Sequence, residues 1–204
     1  MFISFEGIDG SGKGTQIRLL LEYLDKNKIP YLHLREPGGT EVGEQVRKVV
    51  LDPQNKVQDF TEVMLYATSR AQLVEEKIIP SLDKGLLVVC DRYVDSSIAY
   101  QAVRDVPLSD IKTVNALATR GILPDVTFLI DVPHLVGLNR VYSETNGDRI
   151  EQEGAVFFEK VVDNYRKVAD ENSERFVVLD GEKSVEEIHK KIINYLQEHF
   201  GKLF

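Results

Sequence analysis

The sequence has one cysteine, no tryptophan and no long apolar run. The single cysteine, Cys90, excludes an internal disulfide and a zinc site built from several cysteines, which fits a reducing compartment. Every apolar run is far shorter than the roughly 20 residues that a membrane-spanning helix needs. The N-terminal residues lack the basic and apolar segments of a secretion signal. We therefore predict a cytoplasmic protein with no membrane partner.

Positive charge is also scarce. The 204 residues include 25 Lys and Arg against 33 Asp and Glu, which gives a formal net charge of -8 at pH 7. Binding to a nucleic-acid backbone demands a basic surface, so we predict no nucleic-acid partner. A ligand that carries phosphate must instead be met by a local cluster of cations. The length and the 43% hydrophobic content suit one domain over residues 1–204 with a full core.

Short apolar runs alternate with stretches of helical periodicity along the chain. The apolar runs are Phe2–Phe5, Tyr31–Leu34, Leu86–Cys90, Val126–Ile130 and Phe176–Leu179. Helical periodicity covers about Thr15–Asn27, Glu41–Leu51, Thr61–Leu82, Asp95–Gln101, Ser109–Arg120, His134–Ser143, Val156–Glu171 and Val185–His199. Runs that are apolar on both faces are typical of parallel strands covered on both sides. This α/β order predicts a five-stranded parallel sheet with helices on both faces, whose ligands bind at the carboxyl ends of the strands.

A glycine-rich turn joins the first predicted strand to the first predicted helix. Its residues are Gly7, Ile8, Asp9, Gly10, Ser11, Gly12, Lys13, Gly14 and Thr15. The N–H groups of such a turn converge on an anion, the helix N-terminus adds positive potential, and the lysine supplies a mobile charge. The pattern predicts a phosphate-binding loop. Gly14 stands where the usual pattern has Ser or Thr, and Thr15 offers a hydroxyl one position later.

Two polar clusters follow other predicted strands. At residues 35–40, Arg35 is a candidate for holding an anion, although the segment also suits a plain turn whose Thr40 caps the next helix. At residues 91–93, Asp91 matches the acidic residue that holds Mg²⁺ through water in phosphate-loop enzymes. Arg92 is placed to clamp a phosphate with two hydrogen bonds. The alternative for Asp91 and Arg92 is a surface ion pair of little energy.

Two further segments leave alternatives open. Tyr66 and Arg70 are four residues apart and share one helix face, so the ring could stack on a base whose edge the guanidinium bonds. Spacing alone favours a simpler interpretation, an amphipathic helix with a half-buried Tyr66. The polar segment Ser143–Gly154 separates two predicted helices, and it suits either a surface loop or a mobile lid over a site.

Taken together, these motifs resemble the thymidylate kinases, which phosphorylate dTMP with ATP. The phosphate-binding loop comes first, and the later motifs keep the family's order over nearly the whole chain. They are Arg35-Glu-Pro-Gly-Gly-Thr40, Tyr66 with Arg70, Asp91-Arg92-Tyr93 followed by Ser96, Ser97, Tyr100 and Gln101, Pro124-Asp-Val-Thr-Phe-Leu-Ile-Asp-Val-Pro133, and Asp148-Arg-Ile-Glu151. The resemblance to the bacterial members implies the phosphate-loop kinase fold, a lid at about residues 140–154, and dTDP production for dTTP biosynthesis.

The resemblance also implies roles for individual residues. The catalytic residues would be Lys13, Arg92 and Arg149, with Lys13 and Arg149 stabilising the transferring phosphoryl group. ATP would be bound by the phosphate-binding loop from Gly7 to Thr15 and by Arg140. The residues that would bind dTMP are Asp9, Arg35, Pro37, Arg47, Tyr66, Arg70, Arg92, Ser97, Tyr100 and Gln101.

Within the implied dTMP site, three arginines, Arg35, Arg47 and Arg92, would surround the acceptor phosphate. Asp9 would meet the sugar 3′-hydroxyl, and Tyr100 would stand where a 2′-hydroxyl would clash. The co-substrate ATP would bring Mg²⁺, held by Asp91 through water. The family also implies a homodimer, through the helices around Glu41–Leu82.

The phosphate-binding loop departs from the family pattern in two ways. It has no arginine between Asp9 and Lys13, and relatives of this type usually carry the compensating arginine in the lid. Only Arg140 and Arg149 stand at the ends of the lid here, so the resemblance assigns most of that charge to Arg149. Gly14 removes the usual hydroxyl ligand, so the metal would be held mainly by nucleotide oxygens and water.

Two other functions stay open at this point. The run Gly12-Lys-Gly-Thr-Gln16 resembles the adenylate kinase loop, so another nucleoside monophosphate or a deoxynucleoside is an alternative acceptor. A non-catalytic GTP switch usually carries an Asn-Lys-x-Asp motif. The pairs Asn27-Lys28 and Asn55-Lys56 lack the required aspartate, which disfavours a switch.

Overall fold

The structure is a computed structural model that describes residues 1–141, 148–201 and 203–204. Its strands are β1 (Phe2–Glu6), β2 (Tyr31–Arg35), β3 (Leu87–Asp91), β4 (Val126–Asp131) and β5 (Phe176–Asp180). Its helices are α1 (Lys13–Lys26), α2 (Glu41–Leu51), α3 (Asp59–Leu73), α4 (Ile79–Asp83), α5 (Val94–Gln101), α6 (Leu108–Thr119), α7 (His134–Val141), α8 (Ala155–Glu171) and α9 (Val185–Phe200). Residues 142–147 of the predicted lid lie outside the described residues.

The five strands form one parallel sheet in the order β2-β3-β1-β4-β5. Phe5 lies opposite Asp91 on one side and Phe128 on the other, so β1 and its two neighbours end at the same edge. This confirms the predicted five-stranded parallel sheet. The order changes direction beside β1, which places the loop after β1 where ligands bind in sheets of this kind.

The core fills both faces of the sheet. Ile3 and Phe5 of β1 pack with the apolar faces of α1 and α9, represented by Leu20 and Ile192. Phe2 points to the other face and packs against α3 and the turn that follows it. A third cluster joins α5 and α8 to β4. Because both faces are buried, the strands read as continuous apolar runs in the sequence.

The helix predicted over Thr61–Leu82 is interrupted in the structure. Its middle, Val74–Ile78, forms a π-helical turn between α3 and α4. Pro80 follows at the start of α4. A proline has no N–H to donate and its ring crowds the preceding turn, so the hydrogen-bond pattern widens just before it.

No helix in the described part of the chain has both the length and the apolar character that crossing a membrane requires.

Candidate active site

The loop between β1 and α1 has the geometry of an anion-binding loop. Gly7, Gly10 and Gly12 have φ values of 134°, 75° and 100°, a region that favours glycine. A Cβ on Gly10 would lie 2.2 Å from the carbonyl oxygen of Gly137 in α7. The glycines are therefore needed both for the turn and for the close approach of α7.

Lys13 begins α1 and points back into this loop. Its Nζ donates to the carbonyl oxygen of Ile8 over 3.1 Å and lies 3.8 Å from Oδ1 of Asp9. Burial lowers the pKa of Lys13, and the nearby charge of Arg92 lowers it further. The lysine is thus held in the loop, beside buried Ser11, whose Oγ has no hydrogen-bond partner among the described residues.

A cavity opens beside the loop. The lining includes every predicted dTMP-binding residue except Arg35: Asp9, Pro37, Arg47, Tyr66, Arg70, Arg92, Ser97, Tyr100 and Gln101. The lining residues to which the sequence assigned no role are Glu36, Leu51, Ser96, Asp148, Ile150 and Glu151, and all of them except Leu51 stand in the motifs named above. The structure therefore brings together residues from five separate motifs around one space.

Arg92 stands between the loop and the cavity. It follows β3 with a φ of 67°, a left-handed conformation that turns its side chain toward the loop. Its Nη2 donates to Oδ1 of Asp9 over 2.7 Å and to the hydroxyl of Tyr100 over 3.3 Å. Its Nη1 donates to the carbonyl oxygen of Gly7 over 2.9 Å and to the hydroxyl of Tyr165 over 3.1 Å. Hydrogen bonds therefore fix both terminal nitrogens of the Arg92 guanidinium.

A buried carboxylate, Glu6, also supports this arrangement. It accepts hydrogen bonds from the N–H of Tyr93 over 2.7 Å, the hydroxyl of Ser96 over 2.6 Å and the hydroxyl of Tyr165 over 3.0 Å. Burial, together with the charge of Asp95, raises the pKa of Glu6 to about 7. In the sequence Glu6 stands immediately before the loop motif, with no sign of these partners.

Arg70 lines the cavity, but the protein uses all of its N–H groups. Its Nε donates to Glu36 over 2.7 Å, and its Nη2 donates to Glu36 and to the carbonyl oxygen of Tyr93. Its Nη1 donates to Ser97 and to Asn115. Reading a base edge with Arg70, as predicted, therefore requires a ligand to replace one of these partners.

The three arginines predicted at the acceptor phosphate do not converge. Arg47 lines the cavity and donates to the carbonyl oxygen of Pro37 over 3.0 Å. Arg35 instead pairs with Glu44 on the surface, 3.1 Å away, with about half of its side chain exposed. Only Arg47 and Arg92 of the three stand at the cavity.

The two arginines that flank the predicted lid have different partners. Nη1 of Arg140 donates to the carbonyl oxygen of Gly10 in the phosphate-binding loop over 3.0 Å. The side chain of Arg149 donates to the carbonyl oxygen of Val50 over 2.7 Å and to Oε2 of Glu62 over 2.6 Å. The structure therefore brings Arg140, but not Arg149, to the loop that holds Lys13.

Metal binding through Asp91 fits the residues that are present. Within the described residues no group of three or more His, Cys, Asp or Glu side chains is arranged to hold a metal. Asp91 lies with Gly14 in one groove beside α1, and its Oδ1 is buried without a partner among the described residues. A single unpaired carboxylate oxygen beside the loop suits a metal whose other ligands are nucleotide oxygens and water.

Known proteins match this chain over nearly its whole length. The sequence profile described as thymidylate kinase matches residues 5–192. Thymidylate kinases from Thermoanaerobacter sp. (strain X514) and Caldanaerobacter subterraneus subsp. tengcongensis are 48% and 46% identical over 199 residues. These matches cover 97% of this chain and 98% and 95% of the relatives. A thymidylate kinase from Symbiobacterium thermophilum is 43% identical over 206 residues, which cover 100% of this chain and 96% of the relative. They confirm the resemblance to bacterial members: the chain belongs to the thymidylate kinase family.

Proposed function

We propose that this chain phosphorylates dTMP to dTDP with ATP, the reaction of its family. The observation that carries the proposal is the contact of Arg92 with Asp9, since Asp9 belongs to the phosphate-binding loop and both residues line the cavity. A donor phosphate on the loop and an acceptor phosphate at Arg92 would then meet in line.

The reaction needs charge neutralisation more than proton transfer. The acceptor is a phosphate with a second pKa near 6, so it is already an anion at pH 7 and needs no general base. Lys13 and Arg140 are the cations proposed for the donor phosphates, and Arg92 and Arg47 those proposed for the acceptor phosphate. Aligning two polyanions and stabilising their charge supplies most of the catalysis in phosphoryl transfer.

We assign Arg149 a catalytic role only in a state in which it has left Glu62. Its guanidinium is committed to Glu62 and Val50, contacts that would anchor the C-terminal end of the proposed lid. Arg140 already contacts the phosphate-binding loop, so it is the better placed of the two to offset the missing loop arginine.

Mg²⁺ is the proposed cofactor, held by Asp91 through water and otherwise by nucleotide oxygens. The ion would neutralise charge on the phosphates of ATP. Removing it with a chelator should abolish turnover, and adding Mg²⁺ back should restore it. Persistence of full turnover in the chelator would overturn the assignment.

We propose that the cavity lining selects dTMP. Tyr66 is proposed to stack on the base, with Arg70, Ser97 and Gln101 at its edge. Tyr100 packs its ring against the Arg92 guanidinium, 5.1 Å from the ring centroid. It is therefore fixed where we propose that it excludes a 2′-hydroxyl.

We propose a homodimer through α2 and α3. Four large apolar side chains on these two helices are more than two-fifths exposed: Val42, Val49, Phe60 and Met64. An exposed apolar face on neighbouring helices favours association. Sedimentation over a range of concentrations tests the proposal, and a monomer at all concentrations would contradict it.

The lone, buried Cys90 is consistent with the proposed cytoplasmic location.

One substrate panel tests the reaction. Purified protein is given ATP and Mg²⁺ with each of dTMP, dUMP, UMP, dCMP, CMP, AMP and thymidine, and the diphosphate or monophosphate product is measured. We expect the highest kcat/KM with dTMP. Turnover of AMP, CMP or thymidine well above that of dTMP would assign a different kinase activity. Binding without turnover of any acceptor would point to a nucleotide switch.

A further inference from the structure

A second buried carboxylate, Glu62 of α3, lies next to the cavity but does not line it. Only 1% of the residue is exposed. Arg104 donates to both of its oxygens, at 3.3 Å and 3.2 Å, and Arg149 donates to Oε2 at 2.6 Å. Since these partners are arginines, which only donate, both oxygens of Glu62 act as acceptors.

Among the described residues, Gln101 of α5 is the remaining side chain that bonds the Glu62 carboxylate. Its Nε2 donates to Oε1 of Glu62 over 3.1 Å. Gln101 lines the cavity and is 1% exposed, and its Oε1 is buried with no partner among the described residues. The amide therefore turns its nitrogen to Glu62 and leaves its oxygen without a partner, in a residue of the cavity lining.

We propose that Glu62 determines base specificity by fixing this orientation of the Gln101 amide. The proposal rests on the proposed function, because it takes the base of dTMP to lie against Gln101. The Gln101 oxygen then accepts a hydrogen bond from the N3–H of thymine. Glu62 is a positioning residue, since it acts through Gln101 and does not line the cavity itself.

Arg104 and Arg149 keep the Glu62 carboxylate in the position from which it orients the Gln101 amide. A glutamine amide can be turned over at little cost unless a neighbour distinguishes its oxygen from its nitrogen. In the turned-over state the Gln101 oxygen would face Oε1 of Glu62, an acceptor against an acceptor, and the hydrogen bond would be lost. Arg104 and Arg149 hold the carboxylate in place, so Gln101 has one favourable orientation.

This orientation of the Gln101 amide discriminates between thymine and cytosine. The N3 atom of thymine carries a hydrogen, whereas the N3 atom of cytosine is an acceptor. An acceptor oxygen aimed at N3 favours thymine or uracil and disfavours cytosine. A site built around one buried hydrogen bond rejects an analogue that cannot make it far more strongly than a site built on shape.

The decisive variant is Glu62→Gln, which keeps the size of the side chain but can donate as well as accept. Both orientations of Gln101 then become favourable. We expect the ratio of kcat/KM for dTMP to that for dCMP to fall by about ten-fold or more. Most of the change in the dTMP reaction should appear in KM. Dissociation constants of dTMP and dCMP measured by calorimetry give the same ratio without turnover.

Two comparisons separate positioning from a general loss of structure. In a Gln101→Leu background, Glu62→Gln should change the dTMP-to-dCMP ratio by less than about two-fold, because the residue through which it acts is gone. Arg104→Lys disturbs the contact with Glu153 but keeps a cation beside Glu62, and the Arg149 contact with Glu62 is untouched. Glu62 then remains an acceptor for the Gln101 nitrogen, so this variant should keep the wild-type ratio.

The outcomes are distinct. An equal loss of kcat/KM for both nucleotides in Glu62→Gln would overturn the proposal, as would a further fall of the ratio in the Gln101→Leu background. If thermal unfolding shows that Glu62→Gln does not fold, Glu62→Asp makes the same test, because its shorter carboxylate withdraws from Gln101. Absence of dTMP turnover in the unaltered protein would instead contradict the proposed function.

Discussion

The guanidinium of Arg92 donates a 2.7 Å hydrogen bond to the carboxylate of Asp9, and this contact joins the phosphate-binding loop to the acceptor cavity. Burial raises the pKa of Asp9, but the charges of Arg92 and Lys13 outweigh it and lower the pKa to about 2. Asp9 is therefore a carboxylate throughout the physiological range. Its negative charge holds Arg92 at the point where donor and acceptor would meet.

Arg92→Ala should lower kcat for dTMP phosphorylation by about two or more orders of magnitude, because the charge that orients the acceptor phosphate is lost. The dissociation constant of ATP should change little, since we place the donor phosphates on Lys13 and the loop backbone. Steady-state kinetics with an ATP-binding titration checks both. Loss of ATP affinity without a fall in kcat would move Arg92 to the donor side.

Arg35→Ala tests the one predicted dTMP-binding residue that does not reach the cavity. Its partner is Glu44 at the surface, and such exposed pairs contribute little free energy. We expect KM for dTMP to change by less than about three-fold. A rise comparable to that caused by Arg47→Ala would show that Arg35 turns inward when dTMP binds.

Arg92 and Arg35 also show how far the sequence could predict the site. Both stand at the end of a strand, and periodicity located those ends to within one or two residues. Arg35 is the last residue of β2 and lies opposite Asp91, whereas Arg92 is one residue beyond β3. The left-handed conformation of Arg92 turns it toward the loop. Strand periodicity carries no information about that turn.

Contacts between distant parts of the chain could not be predicted from the sequence, for a different reason. Glu62 and Arg149 are 87 residues apart, and Glu6 and Tyr165 are 159 apart. Only the folding of the whole chain makes these pairs neighbours. The motif order therefore predicted which residues line the cavity, but not the two buried carboxylates, Glu6 and Glu62, that hold them.

Tyr100 should control the preference for deoxyribose. We expect Tyr100→Ala to reduce the ratio of kcat/KM for dUMP to that for UMP by about ten-fold, because space opens for a 2′-hydroxyl. Comparing dUMP with UMP keeps the base constant. Tyr100→Phe is the matched control, since it keeps the ring and removes only the 3.3 Å contact with Arg92. An unchanged ratio in Tyr100→Ala would assign sugar selection to another residue.

Arg140 and Arg149 should respond differently to substitution. Arg140 contacts the phosphate-binding loop, so Arg140→Ala should raise KM for ATP with little effect on the melting temperature. Arg149→Ala leaves the buried carboxylate of Glu62 with fewer donors, so we expect a loss of stability of about 1–3 kcal/mol. Thermal unfolding and ATP kinetics of both variants check this. A large fall in kcat for Arg149→Ala at unchanged stability would restore its catalytic role.

Gly10 should tolerate no side chain, whereas Gly14 should tolerate one. The Cβ of Gly10→Ala would meet the carbonyl oxygen of Gly137 at 2.2 Å, and the φ of 75° is itself unfavourable for alanine. We expect a loss of about 2 kcal/mol or more in unfolding free energy. Gly14→Ala, with no atom within 4 Å of its added Cβ, should be neutral or slightly stabilising in α1. Denaturant unfolding of the pair checks the contrast.

The raised pKa of Glu6 should appear as a pH dependence of stability. The pKa is about 7 in the folded protein against an ordinary value of 4.5, so the folded state holds this proton more tightly than the unfolded state does. The stabilisation is complete below pH 4.5 and is lost as the pH rises to about 7. The unfolding free energy of the wild type, minus that of Glu6→Gln, should therefore fall across this window by an amount on the order of 3 kcal/mol. Urea unfolding at half-unit pH steps measures the difference. A constant difference from pH 4.5 to 7 would show that Glu6 stays ionised beneath Arg92, because its hydrogen bonds to Tyr93, Ser96 and Tyr165 then outweigh its burial.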